Sequence, residues 1–347
     1  MMRTLVLGLA LMVLPLPALA DPPWAARLEA RLAALETGFD GELGVMVRPL
    51  GGGERFGWRA GESWYLASLI KVPVAIELMA RVEAGEMALD ERLVLHESDY
   101  VDGAGPTNWA PPGAELSLHE LLVAMLTVSD NTAADMLIHR LGLAAVNRRA
   151  RRLAGGEGLG PITTLLDVRR QVYGRLHPAA RALGGMDFIE LQKRHSDAAR
   201  LDWLTGRLGI PPGALRLTSL EAAFDAYYAT DLNSGRLDAV AELLAALGEG
   251  RALGPAASAR LLAVMERTTS GDRRLKAGFG PGVRFAHKTG TQRRRSCDAG
   301  IATLGEGADS RRVVIVACTR GEADVERSER LLAAIGRAMR EVGLLEP

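Results

Sequence analysis

The spacing of apolar residues changes several times along the chain, and each change predicts an element. Trp24–Phe39 carries apolar residues at helical spacing, which predicts an amphipathic helix. Glu42–Arg48 alternates between apolar and polar residues and predicts a strand, and Arg55–Trp64 predicts a second one after a glycine-rich turn. From Leu66 to Ala84 the spacing is helical again.

Helical spacing dominates the middle of the chain. Ser117 and Glu120 have the spacing of a capping box, in which each side chain binds the backbone N–H of the other, so a helix should begin there and run to about Val128. The same spacing predicts further helices at Thr132–Leu141, Val146–Leu153, Asp187–Gln192, Leu220–Thr230, Leu237–Leu247 and Ala256–Arg267.

Strand patterns return near the C-terminus. They predict strands at Val283–His287, Ile301–Leu304 and Val313–Ala317, and a last helix at Val325–Val342. Because strands lie at both ends and helices between them, we predict an α+β fold. One antiparallel sheet is built from both termini, and a helical lobe is inserted into it.

This order of elements predicts one domain with two lobes. Residues 21–66 and 268–347 are assigned to the sheet lobe, and residues 67–267 to the helical lobe. A ligand would bind in the cleft between the lobes, because concave sites commonly form where two packed units meet.

The first twenty residues have the pattern of a signal peptide. Arg3 precedes an apolar run from Leu5 to Leu14, and Ala18-Leu19-Ala20 resembles a cleavage site. We therefore predict cleavage after Ala20 and export to a periplasm or out of the cell. An uncleaved membrane anchor is the alternative, although the run is short for a bilayer span.

The charges are balanced, with 42 basic and 42 acidic residues, so neither nucleic acid nor an anionic membrane is expected as a partner. Beyond the first twenty residues, no segment is long and apolar enough for stable membrane insertion. The six histidines form no paired motif and the two cysteines lack zinc spacing, so no metal or organic cofactor is expected.

Cys297 and Cys318 flank a predicted hairpin. If Leu304 faces Arg311 across the turn, the two cysteines face each other on paired strands. In an oxidising compartment such a pair can form a disulfide, whereas a register shifted by one residue leaves two buried thiols. The sequence leaves both alternatives open.

Three short motifs carry candidate chemistry. In the first, Ser68 and Lys71 are three residues apart on a predicted helix, so the amine lies beside the hydroxyl and can act as its base. In the second, Ser129 can relay a proton between Lys71 and a leaving nitrogen, and Asn131 can bind a substrate amide. The segment Ser129-Asp130-Asn131 can also simply cap the following helix.

The third motif, Lys288-Thr289-Gly290, ends a short predicted edge strand. Lys288 and Thr289 can bind a carboxylate, and Gly290 lets a ligand approach the backbone closely. Taken alone, this motif is also compatible with an ordinary strand end that carries an exposed lysine.

The three motifs in this order resemble the signature of class A β-lactamases and the related penicillin-binding proteins. The resemblance is closest over Leu116–Leu141 and His287–Thr291 and covers most of the chain after residue 20. It implies a β-lactamase/transpeptidase-like fold, acylation of Ser68, and oxyanion donors at the backbone N–H groups of Ser68 and Thr291. We expect a monomer that acts on a small β-lactam or a cell-wall peptide.

The chain departs from the class A pattern after the second motif. Thr164-Leu165-Leu166-Asp167 resembles the lead-in to a loop whose glutamate activates the deacylating water in class A enzymes. Arg170 stands where that glutamate is expected, and Gly174 stands where an asparagine is expected. Before Leu217-Thr218-Ser219 there are then roughly forty residues where class A enzymes have about ten.

Two alternatives follow for the breakdown of an acyl-enzyme. Asp187 and Glu190, with Asp197 and Asp202 behind them, are candidate bases in the inserted segment, although a solvated helix face accounts for them more simply. Alternatively, no base is dedicated to this step and the acyl-enzyme persists. Arg293-Arg294-Arg295 either attracts a carboxylate or forms a solvated turn.

The sequence therefore predicts a secreted serine hydrolase that opens β-lactams through a Ser68 acyl-enzyme. Two other hypotheses retain the same acylation site. One is a D-alanyl-D-alanine peptidase or an esterase of the same fold. The other is a penicillin-binding or cell-wall-sensing protein that is acylated but not turned over.

Overall fold

A computed structural model describes residues 23–307 and 310–346, and the predicted signal peptide lies outside these residues. The strands of the described chain are β1 (Glu42–Pro49), β2 (Phe56–Trp58), β3 (Ser63–Tyr65), β4 (Arg92–Val94), β5 (Glu115–Ser117), β6 (Ser234–Arg236), β7 (Val283–Gln292), β8 (Arg295–Leu304) and β9 (Arg311–Arg320). Five of them form an antiparallel sheet in the order β2-β1-β9-β8-β7. The sheet is built from both ends of the chain, and β7 lies at its edge, as predicted.

Helices make up most of the remaining structure. The α-helices of the described chain are α1 (Pro23–Thr37), α2 (Lys71–Glu83), α3 (Leu118–Thr127), α4 (Asn131–Leu141), α5 (Leu143–Leu153), α6 (Leu165–Leu176), α7 (Gly185–Gln192), α8 (Asp197–Leu208), α9 (Leu220–Tyr228), α10 (Leu237–Gly248), α11 (Pro255–Glu266), α12 (Leu275–Phe279) and α13 (Val325–Glu341). Helices α6, α8 and α12 lie where the sequence pattern predicts none. Within the described part of the chain, every helix is too short or too polar to cross a membrane.

The predicted strand Arg55–Trp64 is wrong as a single element. The chain instead forms β2 and β3 with a turn between them, closed by the N–H of Glu62 donating to the carbonyl of Arg59 (3.2 Å). Arg59 has φ +47°, a left-handed conformation that a strand cannot contain. As a result β2 stays in the main sheet, and β3 leaves it to pair with β6.

The main sheet separates two hydrophobic cores. Alternate residues of a strand point to opposite faces, so Val45 and Ile315 pack against the terminal helices α1 and α13, while Met46 and Val316 pack against the helical lobe. Both faces are therefore covered, and the central strands are buried on both sides.

The segment 165–228 has a small hydrophobic core of its own. Val172, Phe188 and Tyr227 pack there together with Tyr65 and Ala67, which come from outside the segment. Because Tyr65 and Ala67 directly precede Ser68, the inserted helices hold the chain that leads to the candidate nucleophile.

Cys297 and Cys318 form a disulfide between β8 and β9. Leu304 faces Arg311 in the hairpin, and the two cysteines are opposite each other, so the register that the sequence allowed is the one that forms. Cys297 also lies opposite Gly290 of β7. The bond therefore ties together the strands that support the third motif.

Reduction of this disulfide is expected to lower the free energy of unfolding by about 3 kcal/mol, because the cross-link restricts the unfolded chain. The measurement is urea unfolding of the oxidised protein and of protein that has been reduced while unfolded and then refolded with the thiols kept reduced. Equal midpoints for the two forms would show that the bond does not contribute to stability.

Candidate active site

Ser68 lies in the 3₁₀ turn Ala67–Ile70, directly before α2, and is half-buried. Ala67 has φ +48°, an uncommon conformation for a residue with a side chain, and such strain tends to occur at functional sites. The N–H of Leu66 donates to the carbonyl of Asn233 (2.9 Å), which anchors the chain just before this turn. This hydrogen bond thus helps to hold the turn that carries Ser68.

Lys71 is buried and is the first residue of α2. Its Nζ donates to the Ser129 carbonyl (2.7 Å), to Ser129 Oγ (3.2 Å) and to Asn131 Oδ1 (2.7 Å). Burial lowers the pKa of Lys71 to about 7, and the charges of Asp130 and Asp135 oppose this shift. The amine is therefore partly neutral near pH 7, which a general base requires.

No hydrogen bond joins Lys71 to Ser68 among the described residues. An ammonium group has three donors, and the contacts with Ser129 and Asn131 use all three. The neutral amine has two donors and a lone pair, so it can no longer donate to all three acceptors. The lone pair then becomes available to a neighbouring hydroxyl.

Each residue of the second motif makes its own set of hydrogen bonds. Ser129 has φ +63°, which turns its carbonyl and hydroxyl towards Lys71. Asp130 is the buried N-cap of α4 and accepts from the N–H groups of Ala133 and Thr107 (both 2.9 Å). Asn131 donates Nδ2 to the carbonyl of Asp102 (2.7 Å), which directs its Oδ1 to Lys71.

Lys288 and Thr289 lie on the edge strand β7 and are buried. The Nζ of Lys288 donates to the carbonyl of Thr289 (2.9 Å). Burial, with the positive charges of Lys71 and Arg274, holds the pKa of Lys288 well below its ordinary value. The ammonium form of Lys288 is therefore disfavoured unless an anion binds beside it.

Gly290 brings β7 against the turn that carries Ser68. A Cβ at this position would lie 2.4 Å from the carbonyl oxygen of Leu66 and 3.2 Å from the Cβ of Ala67, so only glycine fits. The close approach places Thr291, the next residue of β7, beside the same turn. Thr291 and Ser68 are the two residues predicted to supply the oxyanion donors.

Arg274 is a site residue that the sequence motifs do not reveal. It is almost fully buried and donates Nη1 to the carbonyls of Gly290 (3.1 Å) and Cys297 (2.9 Å) and Nη2 to Thr291 Oγ1 (2.7 Å). Its Nε donates to Glu329 Oε1 (3.3 Å), so the guanidinium group supports the third motif from behind while it shares its charge with that carboxylate. No local pattern marks Arg274, because its partners lie on strands that follow it in sequence.

Helix α6 begins directly after Thr164, within the segment whose sequence resembles the lead-in to the class A loop. Asp135 anchors its first turn by accepting from the N–H groups of Leu165 (2.7 Å) and Leu166 (2.9 Å). Burial raises the pKa of Asp135 to about 6 despite these donors. Arg170 donates to the carbonyl of Leu183 (3.0 Å), whereas Arg169 pairs with Asp102.

The candidate deacylating bases lie among other charged groups. Asp187 pairs with Arg207 (2.7 Å), and Glu190 pairs with Lys193 on the surface. Within residues 23–307 and 310–346, no hydrogen bond connects Asp187 or Glu190 with Ser68, Lys71 or Ser129. Their role in deacylation stays a prediction. Of the two carboxylates behind them, Asp197 binds Arg293 (2.6 Å), and Asp202 is exposed.

The arginines of the β7–β8 turn contact the inserted helices. Arg293 binds Asp197, and Arg294 binds Glu221 at the start of α9. Arg295 lies 4.4 Å from the centre of the Tyr228 ring. The turn is therefore attached to the inserted segment by charged and aromatic contacts, and it is not simply solvated. No group of three or more His, Cys, Asp or Glu residues that could hold a metal occurs in the described chain.

The fold, with a serine turn, a buried lysine beside it and a second buried lysine on the edge strand, defines a protein of the β-lactamase/transpeptidase class. A family model described as the Beta-lactamase enzyme family matches residues 27–342. The chain therefore belongs to this family, and the resemblance and fold predicted from its three motifs are confirmed.

Curated relatives support the same family. A β-lactamase from Rhodobacter capsulatus is 33% identical over 136 residues, which cover 39% of this chain and 46% of that protein. A β-lactamase from Streptomyces fradiae is 38% identical over 131 residues, which cover 36% of this chain and 42% of that protein. The matched stretches thus span less than half the length of these relatives.

Solved structures are similar over nearly the whole chain. A β-lactamase from Sphaerobacter thermophilus has a TM-score of 0.67 at 25% identity, over 93% of this chain and 99% of its own. A mutant of PBP-A, in an acyl-enzyme complex with penicillin G, has a TM-score of 0.67 at 21% identity, over 92% and 96%. The likeness to PBP-A concerns the fold alone.

Proposed function

We propose that this chain is an exported serine hydrolase that opens β-lactams by acylation of Ser68. The observation that carries the proposal is Lys71, a buried amine with a pKa of about 7 that contacts Ser129 Oγ. The neutral amine accepts the Ser68 proton while Ser68 Oγ bonds to the lactam carbonyl carbon. The proton then passes through Ser129 to the ring nitrogen as the carbon–nitrogen bond breaks.

The edge strand would bind the rest of the reacting group. The backbone N–H groups of Ser68 and Thr291 would stabilise the oxyanion, because Gly290 allows β7 to lie against the serine turn. A substrate carboxylate would bind at Lys288 and Thr289. It would supply negative charge beside Lys288 and so favour the ammonium form of that lysine.

Deacylation is expected to be slower than acylation. Asp167 is the one acidic residue of α6, and it lies at the exposed first turn, 3.7 Å from Arg170. Asp102 is held by the same helix, because both of its carboxylate oxygens accept from Arg169 Nε (2.7 and 2.9 Å). A carboxylate free to activate water is therefore not provided by α6 or its partner.

The arginines of α6 also favour a second candidate function. One candidate without an efficient deacylating base is a penicillin-binding or sensing protein that stays acylated. The other is a D-alanyl-D-alanine peptidase whose acyl-enzyme with the natural peptide is hydrolysed more readily than that with a β-lactam. In both cases Ser68, Lys71 and Ser129 keep the same roles in acylation. The candidates differ in how long a β-lactam adduct lasts.

One experiment separates these functions. The protein without residues 1–20 is mixed with a chromogenic cephalosporin, and absorbance and intact mass are followed together. We expect a burst of about one product per protein, then slow turnover with an adduct visible throughout. A lasting adduct without turnover would support the penicillin-binding alternative. Absence of both product and adduct would contradict the proposed β-lactam chemistry.

A further inference from the structure

A cavity of about 490 Å³ lies between the inserted helices and the end of β7. It reaches Thr291 on β7 and therefore adjoins the proposed acylation site. Most of its polar lining is charged, and the charged residues come from α6, α8, α9, the β7–β8 turn and the chain before α3. They are Asp102, Arg169, Arg200, Glu221, Arg293 and Arg294.

Three of the four lining arginines share two carboxylates. Arg294 pairs with Glu221, and Asp197 contacts both Arg293 (2.6 Å) and Arg200 (3.4 Å). The carboxylate of Asp197 is thus divided between two guanidinium groups. These contacts fix the arginines in position and leave this side of the cavity positively charged.

Arg169 connects this cavity to the acylation site. It pairs with Asp102, whose backbone carbonyl accepts from Asn131 Nδ2 (2.7 Å), and Asn131 in turn accepts from Lys71. With Asp102 included, four guanidinium groups of the described cavity face three carboxylates, so one positive charge is in excess.

The outer nitrogens of Arg169 have no acceptor among the described residues. Its Nε alone donates, to both oxygens of Asp102, and 16% of the side chain is exposed, where it lines the cavity. The Nη1 and Nη2 groups form the edge of the guanidinium that can bind a carboxylate through two parallel hydrogen bonds.

We infer that Arg169 binds a carboxylate carried by the acyl side chain of the substrate, so that the site selects acyl donors with a second negative charge. This inference rests on the proposed acylation of Ser68. Lys288 would bind the carboxylate next to the scissile bond, on the β7 side of the cleft. Arg169 would bind the second carboxylate on the opposite side, beside Asn131.

A matched pair of penicillins tests this selection. Carbenicillin differs from benzylpenicillin by one carboxylate on the side chain, so the ratio of their second-order acylation rates isolates that group. We expect Arg169→Gln to lower this ratio about 10-fold, because hydrogen bonds to a charged group are lost. The rates are measured from the intact-mass adduct, and Arg169→Lys should restore part of the ratio.

Arg170→Gln is the matched control, since it removes the same charge one residue later on the same helix, away from the cavity. The ratio of the acylation rates for carbenicillin and benzylpenicillin should stay within about twofold of its value in the unchanged protein, because a surface charge contributes little. An equal fall in Arg169→Gln and Arg170→Gln would overturn the inference. So would an Arg169→Gln variant that changes neither this ratio nor the corresponding ratio for the peptide pair described next. A protein that forms no adduct with either penicillin would instead overturn the proposed function.

Peptide substrates show where the selected carboxylate lies. Peptides that end in D-Ala-D-Ala can carry either lysine or diaminopimelate, which differ by a carboxylate at the far end of the side chain. If Arg169→Gln lowers the rate ratio of the penicillin pair alone, the bound carboxylate lies near the carbonyl. If it lowers the rate ratio of the peptide pair alone, the bound carboxylate lies further out. Either result supports the inference, and a fall in neither contradicts it.

Discussion

Replacing Ser68 with alanine is expected to abolish adduct formation with a β-lactam and to lower acylation by at least about 10⁴-fold. Ser68 Oγ is the atom that would bond to the acyl carbon, and no other hydroxyl shares its position on the turn before α2. The measurement is intact mass after incubation with a chromogenic cephalosporin, followed by peptide mapping of the adduct in the unchanged protein.

Ser129→Ala is the informative control for this prediction, because Ser129 is the serine whose hydroxyl contacts Lys71. That variant should still be acylated on Ser68, but about 10²-fold more slowly, since only the proton relay is lost. Ser68→Ala should fold normally, with a change in unfolding free energy within about 0.5 kcal/mol. An adduct in Ser68→Ala would show that another residue is the nucleophile.

Local signals in the sequence predict much of the fold. The capping box is confirmed, with the N–H of Ser117 donating to Glu120 Oε2 (2.7 Å) and the N–H of Glu120 donating to Ser117 Oγ (3.1 Å). The hairpin register that pairs Cys297 with Cys318 is also confirmed. Both features depend on residues close in sequence or on a strict two-residue period, and such patterns can be recognised in a single sequence.

Packing between distant segments accounts for what the sequence does not predict. Ala67 and Ser129 adopt left-handed conformations that neither residue prefers, and tertiary contacts must impose them. Arg274 belongs to the site through strands that follow it in the chain. Helix α6 begins at the segment that resembles a class A loop, because Asp135 binds its first N–H groups.

The electrostatic character of the site follows from these packed contacts. Lys71 and Lys288 are recognisable from motifs, but their lowered pKa values arise from burial, and for Lys288 also from the positive charges of Lys71 and Arg274. A motif identifies the groups that can react, whereas the surrounding structure determines their protonation at a given pH. The proposed mechanism therefore has a pH dependence that the motifs alone do not supply.

Replacing Lys71 with methionine is expected to slow acylation of Ser68 about 10³-fold. Methionine is an unbranched side chain that can fill the buried space, but it has no lone pair to accept the Ser68 proton. The second-order acylation rate with a chromogenic cephalosporin is the measurement. Lys276→Met is the matched control, because Lys276 lies on α12 and pairs with Asp272 at the surface.

The pH profile distinguishes a lost base from a damaged fold. Because the pKa of Lys71 is lowered to about 7, its neutral fraction falls as pH decreases below that value. Acylation by the unchanged protein should therefore rise about tenfold per pH unit below pH 7 and level off above it. The Lys71→Met variant should lose this rise. A smaller fraction of folded protein would instead lower the acylation rate by the same factor at every pH and leave the rise in place. A retained rise in Lys71→Met would assign the titrating base to another group, and Lys288 would then be the first residue to test.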